Sequence, residues 1–217
     1  MDYQYIKTEK TARYLLCLPD PGIAPVALCM ALHGYGDSAK RLTGDLDLLL
    51  KSGVALLVPE ALSRFYTKGF DGPVGASWMT REDRENEIHD YLTYLDKLKA
   101  EVVMRNYSQL PFWVLGFSQG VATAVRWVAR GNAGPCNLAL WAGTLPPEIK
   151  YKEEFSPEKI KKLTYLLGDA DKFIAAEKGR EQIELLSGAG LNFRFFTYTG
   201  EHKIEAKPLA ELLSFFK

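Results

Sequence analysis

The sequence has little of several features that mark whole classes of proteins. Its 27 basic side chains are balanced by 27 acidic ones, so no net charge draws the chain toward nucleic acid or an anionic membrane. No apolar run approaches the roughly 18 residues that span a bilayer, and the N-terminal segment lacks the pattern of a signal peptide. We therefore expect a soluble protein with no nucleic-acid partner and no integral membrane segment.

Cysteines and cofactor motifs are also scarce. The three cysteines, Cys17, Cys29 and Cys136, lie far apart in apolar surroundings, a pattern typical of buried, reduced thiols in a cytoplasmic protein. No cluster of His, Cys, Asp and Glu has the spacing of metal ligands, and no glycine-rich nucleotide-binding motif is present. The sequence thus indicates a protein that uses neither a metal nor a cofactor.

Strand-like and helix-like segments alternate along the chain. The strand candidates are apolar runs rich in branched and aromatic residues: RYLLCL, VALCMALHG, VALLVPE, FWVLGF, LALWAG, LTYLLG and FRFFTY. This alternation implies crossover connections between parallel strands. We predict a mostly parallel, doubly wound α/β sheet flanked by helices, in a single domain over residues 1–217. Both a monomer and a homodimer stay open, and we place the C-terminal LLSFF in the core.

Two loops, residues 61–80 and 144–160, lack regular patterning and begin where strand candidates end. Since ligands bind beyond the carboxyl ends of the strands in such sheets, both loops are candidate walls of a substrate site. Trp78 and Met79 in the first loop either line an acyl pocket or fill core space, and we assign them to substrate binding.

The pentapeptide GFSQG, residues 116–120, carries the strongest chemical signal. It follows the strand candidate FWVLGF and precedes a helical segment, which is the context of a nucleophile elbow. Small flanking residues let such a turn close, and the turn presents the serine beside the helix N-terminus. Ser118 is therefore a candidate nucleophile, and the alternative is a serine that only caps the helix.

A serine hydroxyl needs a base, and in folds with this elbow an acid and then a histidine follow the nucleophile along the chain. His202 stands just after the last strand candidate and is the one histidine beyond Ser118. Asp169 and Asp171 lie between them at the end of another strand candidate. Either would orient the imidazole and stabilise its cation, so the residues alone leave the acid open.

A tetrahedral intermediate also needs hydrogen-bond donors for its oxyanion. One is the backbone N–H of the residue after the nucleophile, Gln119, and the other comes from an early loop after a strand. The loop ALHGYGD, residues 31–37, follows such a strand, and we predict the Tyr35 N–H as the second donor. We assign His33 a structural role in this turn. The alternative is a glycine-rich turn with no catalytic part.

Four segments, LHGYGD, GFSQG, GDAD and GEH, occur in the order and at the approximate intervals of one known family. From about Pro25 to its end the chain resembles the phospholipase/carboxylesterase family of α/β-hydrolases, which includes acyl-protein thioesterases. The family's acid lies in a G-x-x-D pattern that maps onto Gly168 and Asp171, which favours Asp171 over Asp169. The resemblance implies hydrolysis of carboxylic esters or thioesters through an acyl-enzyme, without a cofactor.

Some residues depart from the family pattern and bear on the substrate. Val121 stands where many members have a glycine, Glu201 where a small residue is frequent, and the segment before the long helix also differs. We expect a serine carboxylesterase that acts on a small-molecule ester or thioester. Two alternatives stay open: a thioesterase or lysophospholipase for long acyl chains, and a non-catalytic binding protein on the same scaffold.

Overall fold

A computed structural model describes residues 2–156 and 158–214 of the chain. Its strands are β1 (Tyr14–Cys17), β2 (Ala27–Leu32), β3 (Val54–Pro59), β4 (Ser63–Tyr66), β5 (Val74–Ser77), β6 (Phe112–Phe117), β7 (Cys136–Trp141), β8 (Ile160–Gly168) and β9 (Arg194–Tyr198). Seven of them form one sheet in the order β1-β3-β2-β6-β7-β8-β9, while β4 and β5 pair separately as an antiparallel hairpin.

The helices cover both faces of this sheet. They are α1 (Ala39–Asp45), α2 (Asp47–Lys51), α3 (Arg84–Leu98), α4 (Met104–Asn106), α5 (Gln119–Arg130), α6 (Tyr151–Glu154), α7 (Ala176–Gly188) and α8 (Ala206–Leu213), with a π-helical turn at Lys99–Val103 between α3 and α4. No helix within the described ranges is long and apolar enough to cross a membrane.

Every strand candidate of the sequence lies in the large sheet, and the predicted α/β-hydrolase fold is confirmed. Neighbouring strands run parallel except for β1, which pairs antiparallel with β3 at one edge. All residues of β2, β3 and β7 are buried, as expected for strands covered by helices on both faces.

Alternate residues of each inner strand point to opposite faces and fill two separate cores. In β2, for example, Met30 belongs to the core under α3 and α5, whereas Cys29 belongs to the core under α1, α2 and α8. Strand order reverses between β2 and β6, and the loops after these two strands diverge to opposite faces. Such a switch point opens a crevice at the carboxyl edge of the sheet.

Two local features differ from the sequence-based expectation, and one agrees with it. The loop 61–80 contains the β4–β5 hairpin, and the helical segment after residue 38 is divided at Leu46, where φ is −101°. In the C-terminal LLSFF, Leu212 is fully buried and Leu213 half-buried, in agreement with a core position. Phe215 and Phe216 lie outside the described residues.

Candidate active site

Ser118 occupies the turn between β6 and α5. Its backbone has φ 55° and ψ −116°, a conformation that L-residues rarely adopt and that is typical of strained functional turns. Its N–H donates to the Trp141 carbonyl at 2.9 Å, which ties the turn to β7. Within the described chain the Ser118 side chain makes no capping hydrogen bond to α5, so a capping role does not explain this serine.

Three glycines let the chain pack closely around this turn. A Cβ on Gly116 would lie 2.4 Å from the Gly120 carbonyl oxygen, and one on Gly120 would lie 2.0 Å from the Leu32 carbonyl oxygen. A Cβ on Gly143 would lie 2.3 Å from the Ser118 carbonyl oxygen and 2.4 Å from Val121. Since such separations are far below van der Waals contact, only glycine fits at these positions.

The structure joins Ser118, His202 and Asp171 in one hydrogen-bonded chain. The Ser118 hydroxyl donates to Nε2 of His202 at 2.8 Å, and Nδ1 of His202 donates to Oδ2 of Asp171 at 2.7 Å. The residues come from loops after β6, β9 and β8, which end at the same edge of the sheet. A carboxylate on Nδ1 fixes the tautomer in which Nε2 can accept a proton.

Backbone donors hold the Asp171 carboxylate in place. Its side chain is fully buried, and its second oxygen, Oδ1, accepts the N–H groups of Phe173 at 2.8 Å and Ile174 at 2.9 Å. Asp169 has a different task, because its Oδ1 accepts the Gly200 N–H at 3.1 Å and so fixes the turn after β9. Asp171, rather than Asp169, therefore lies against the imidazole of His202.

The loop after β2 approaches the serine closely. A Cβ on Gly34 would lie 3.2 Å from the Ser118 Cβ, so the Gly34 backbone runs beside the Ser118 side chain. The Gly34 carbonyl accepts Nδ1–H of His33 at 2.7 Å and the Asp37 N–H at 3.3 Å. Because the carbonyl and the N–H of a trans peptide point in opposite directions, these bonds direct the Tyr35 N–H away from His33.

His33 is a buried part of this loop, in line with the structural role expected of it. Its Nε2 accepts the Ala61 N–H at 3.1 Å while its Nδ1 donates to Gly34, a pattern that requires the neutral ring. Burial lowers the pKa of His33, which also favours the neutral form. The ring thus connects the loop after β2 to the end of β3.

The Gln119 side chain links the elbow to the loop 61–80, a role that sequence reasoning missed. Its Oε1 accepts the Trp78 N–H at 3.1 Å, and its Nε2 donates to the Met79 carbonyl at 2.8 Å. The Trp78 indole N–H donates to the His33 carbonyl at 2.9 Å. These partners stand about forty residues from Gln119, so no local pattern in the sequence marks the contact.

Trp78 and Met79 differ in what they can offer a substrate. Trp78 is 1% exposed and packs against the rings of His33 and Tyr91. A side chain so deeply buried has almost no surface for a ligand, so our assignment of Trp78 to substrate binding is corrected to core packing. Met79 is half-buried, with its sulfur 3.6 Å from Nη1 of Arg126, and keeps part of its surface free.

Two phenylalanine rings lie against the imidazole of His202. The ring centroid of Phe117 is 5.2 Å away, and that of Phe173 is 4.7 Å away. Phe117 is the last residue of β6 and is half-buried, whereas Phe173 follows β8 and is 81% exposed. Neither ring was assigned to the site from the sequence, which contains no motif for it.

The cysteines and other potential ligands lie outside this arrangement. Cys17, Cys29 and Cys136 are all free thiols, and burial raises the pKa of Cys29 and of Cys136 to about 12. In the described part of the chain, no three His, Cys, Asp or Glu side chains are grouped so that they could hold a metal ion.

Solved structures with this fold include several esterases. The chain is similar to the crystal structure of esterase PE8, with 20% sequence identity and a TM-score of 0.71 over 95% of this chain and 98% of the esterase. It is also similar to the crystal structure of Zea mays acyl-protein thioesterase 2, with 23% identity and a TM-score of 0.71 over 94% of this chain and 97% of the thioesterase. A third similar structure is a phospholipase/carboxylesterase from Dyadobacter fermentans, with 17% identity and a TM-score of 0.66 over 97% of this chain and 98% of that protein. Among curated proteins, none matches this sequence.

A family model decides the relationship of the chain. The model of the serine hydrolase family FSH1 matches residues 27–208, a span that includes the elbow, Asp171 and His202. The matched span also includes LHGYGD, GFSQG, GDAD and GEH and so confirms a serine hydrolase, and the esterase structures confirm the fold. The chain belongs to the FSH1 family of serine hydrolases.

Proposed function

We propose that the protein hydrolyses carboxylic esters through an acyl-enzyme formed on Ser118. The observation that carries this proposal is the hydrogen-bonded chain from Ser118 Oγ through His202 to Asp171. In the first step Oγ attacks the acyl carbon as His202 Nε2 takes its proton, and Asp171 stabilises the imidazolium. Nε2 then protonates the leaving oxygen, and a water activated by the same nitrogen releases the acid.

The backbone N–H groups of Tyr35 and Gln119 are the proposed oxyanion donors. Tyr35 follows Gly34, which lies beside the Ser118 side chain, and Gln119 is the first residue of α5, where N–H groups have no partner within the helix. The hydrogen bonds around His33 and Gln119 hold this backbone before a substrate arrives. Such preorganisation matters, since loss of one oxyanion donor raises the barrier by about 3–4 kcal/mol in other enzymes.

The substrate in this proposal is a small-molecule ester or thioester, bound where the crevice opens at the carboxyl edge of the sheet. Met79 and the loops 61–80 and 144–160 are its proposed walls. We also propose that the enzyme works in the cytoplasm, where its free thiols stay reduced.

The proposal is tested by labelling the wild type and Ser118→Ala with a fluorophosphonate probe and measuring intact mass. One adduct is expected on the wild type and none on the variant, while Ser52→Ala, an exposed serine after α2, is labelled like the wild type. Hydrolysis of p-nitrophenyl acetate should be lost only in Ser118→Ala. An unlabelled, inactive wild type would contradict the proposal and favour a binding protein on the same scaffold.

Chain length separates an esterase for short esters from the long-chain alternative. Initial rates are compared for p-nitrophenyl acetate, butyrate and octanoate, and for the matching thioesters. A maximum at acetate or butyrate supports the carboxylesterase assignment. A steady rise to octanoate with preference for the thioester would indicate a long-chain thioesterase, because each added methylene in an apolar site contributes about 1–3 kcal/mol.

A further inference from the structure

Phe173 is an apolar side chain that the fold leaves in water beside the imidazole. The residue is 81% exposed, yet its ring centroid lies 4.7 Å from that of His202, with the rings inclined at 55°. Isolated apolar residues on a surface need no special reason. This one, however, contacts the imidazole that accepts and donates protons in the proposed reaction.

The backbone of Phe173, not its ring, serves the fold. Its N–H donates to Asp171 Oδ1, a bond that any residue except proline can make. The neighbouring Ile174 makes the same kind of bond and also buries its side chain, with 5% exposed. The phenyl ring of Phe173 keeps most of its surface in water and so gains little from the hydrophobic effect.

The proton transfers locate the leaving group relative to this ring. When the tetrahedral intermediate collapses, the bond from carbon to the leaving oxygen breaks, and that oxygen receives its proton from His202 Nε2. The oxygen must therefore lie within about 3 Å of Nε2. The alcohol substituent then begins within reach of a ring that packs on His202. In deacylation a water takes this place, so the same ring faces no substituent.

We propose that Phe173 forms a leaving-group subsite that favours esters of flat, apolar alcohols such as benzyl alcohol. This inference rests on the proposed ester hydrolysis. A pair of aromatic rings is stabilised by about 0.5–1.5 kcal/mol in addition to the contribution of the apolar area that it buries. The exposed ring of Phe173 can form such a pair with an aromatic ring of the alcohol. The charged neighbours Lys172 and Glu201 form an ion pair, with Nζ of Lys172 3.7 Å from Oε1 of Glu201, so together they add no net charge to the subsite.

The test compares benzyl acetate with ethyl acetate, which share an acyl group and have alcohols of similar acidity. The variants are Phe173→Ala and Phe173→Tyr, with Met104→Ala as a matched loss of an exposed apolar side chain at the opposite edge of the sheet. Phe173→Ala should lower kcat/KM for benzyl acetate about tenfold and that for ethyl acetate less than about twofold. Phe173→Tyr should keep the preference, and Met104→Ala should match the wild type.

A second readout separates a leaving-group contact from a positioning effect on His202. The acetyl-enzyme is common to all acetates, so its deacylation rate, measured after the burst with p-nitrophenyl acetate, should be unchanged in Phe173→Ala. Slower deacylation, or an equal loss with both esters, would assign Phe173 to positioning of the imidazole and overturn the subsite.

Failure of the subsite is distinguishable from failure of the proposed function. A wild type that hydrolyses both acetates with a ratio unaffected by Phe173→Ala overturns the subsite alone. A wild type that hydrolyses neither and takes no fluorophosphonate overturns the ester hydrolysis, and the subsite with it.

Discussion

Replacing Asp171 by Asn tests the hydrogen-bonded chain at its buried end. Oδ1 of Asp171 accepts two backbone N–H groups, while Oδ2 faces Nδ1 of His202. An Asn side chain must keep its oxygen toward the two donors, because each hydrogen bond between neutral groups is worth about 0.5–1.5 kcal/mol and a buried N–H left without an acceptor costs about 1–3 kcal/mol. Its NH2 group then faces Nδ1 and forces that nitrogen to accept.

The wrong tautomer of His202 follows from this orientation. With its proton on Nε2, the imidazole cannot take the proton of Ser118, and the nucleophile is not activated. In a serine protease the equivalent change lowers kcat about 10⁴-fold. We expect a similar loss here, which corresponds to about 5.5 kcal/mol in the activation barrier.

The assay is kcat/KM for p-nitrophenyl butyrate together with the rate of fluorophosphonate labelling, which reports activation of the serine without substrate binding. Asp169→Asn is the matched control, since Asn keeps the acceptor for the Gly200 N–H on an exposed turn. It should stay within about twofold of the wild type. If Asp171→Asn kept more than a tenth of the activity, or if Asp169→Asn lost as much, the assignment of the acid would be refuted.

Two further predictions concern stability. Gly120→Ala places a Cβ 2.0 Å from the Leu32 carbonyl oxygen and should lower the free energy of unfolding, measured in urea, by about 1–3 kcal/mol or more. Gly44→Ala in α1 is the control, because its Cβ meets nothing within 4 Å, and it should not lower the free energy of unfolding. Equal stabilities of the two variants would contradict the packing argument. Burial acts to raise the pKa of Glu148, but hydrogen bonds and the charge of Arg126 outweigh it and lower the pKa to about 2. The ionised form therefore stabilises the fold at pH values above the ordinary pKa of 4.5, and this contribution is lost as the pH falls from there toward 2. Unfolding measured between pH 2 and 6 should show a weaker acid dependence in Glu148→Gln, and an unchanged dependence would contradict it.

The sequence predicts the centre of the sheet well because β2, β3 and β7 are buried on both faces and so appear as continuous apolar runs. The β4–β5 hairpin was not predicted, because its strands are short and do not appear as apolar runs. Its strands have four residues each, and the hairpin packs through a distant contact, in which a Cβ on Gly75 would lie 2.1 Å from the Gly36 carbonyl oxygen. Such a contact has no trace in local periodicity.

For the site, predictability follows the chemistry of each residue. The elbow pattern and the order of residues along the chain were enough to predict Ser118 and His202, whereas the prediction of Asp171 over Asp169 also needed the family's G-x-x-D pattern. The amide of Gln119 and the ring of Phe173 belong to common residue types whose roles depend on their neighbours in space. Trp78 was misassigned because an aromatic residue in a loop has the same local pattern whether it faces a pocket or the core.

The Gln119 side chain has a consequence for how new specificities can be engineered on this scaffold. The segment Ser77–Met79 ends the loop 61–80, and the side-chain amide of Gln119, the residue whose backbone N–H is a proposed oxyanion donor, hydrogen-bonds to that segment. A loop grafted from another esterase would therefore alter turnover as well as selectivity unless it reproduces these contacts. A graft should replace only the segment between residues 63 and 76, which keeps the hydrogen bonds of Gln119 to Trp78 and Met79 and confines the variation to the hairpin.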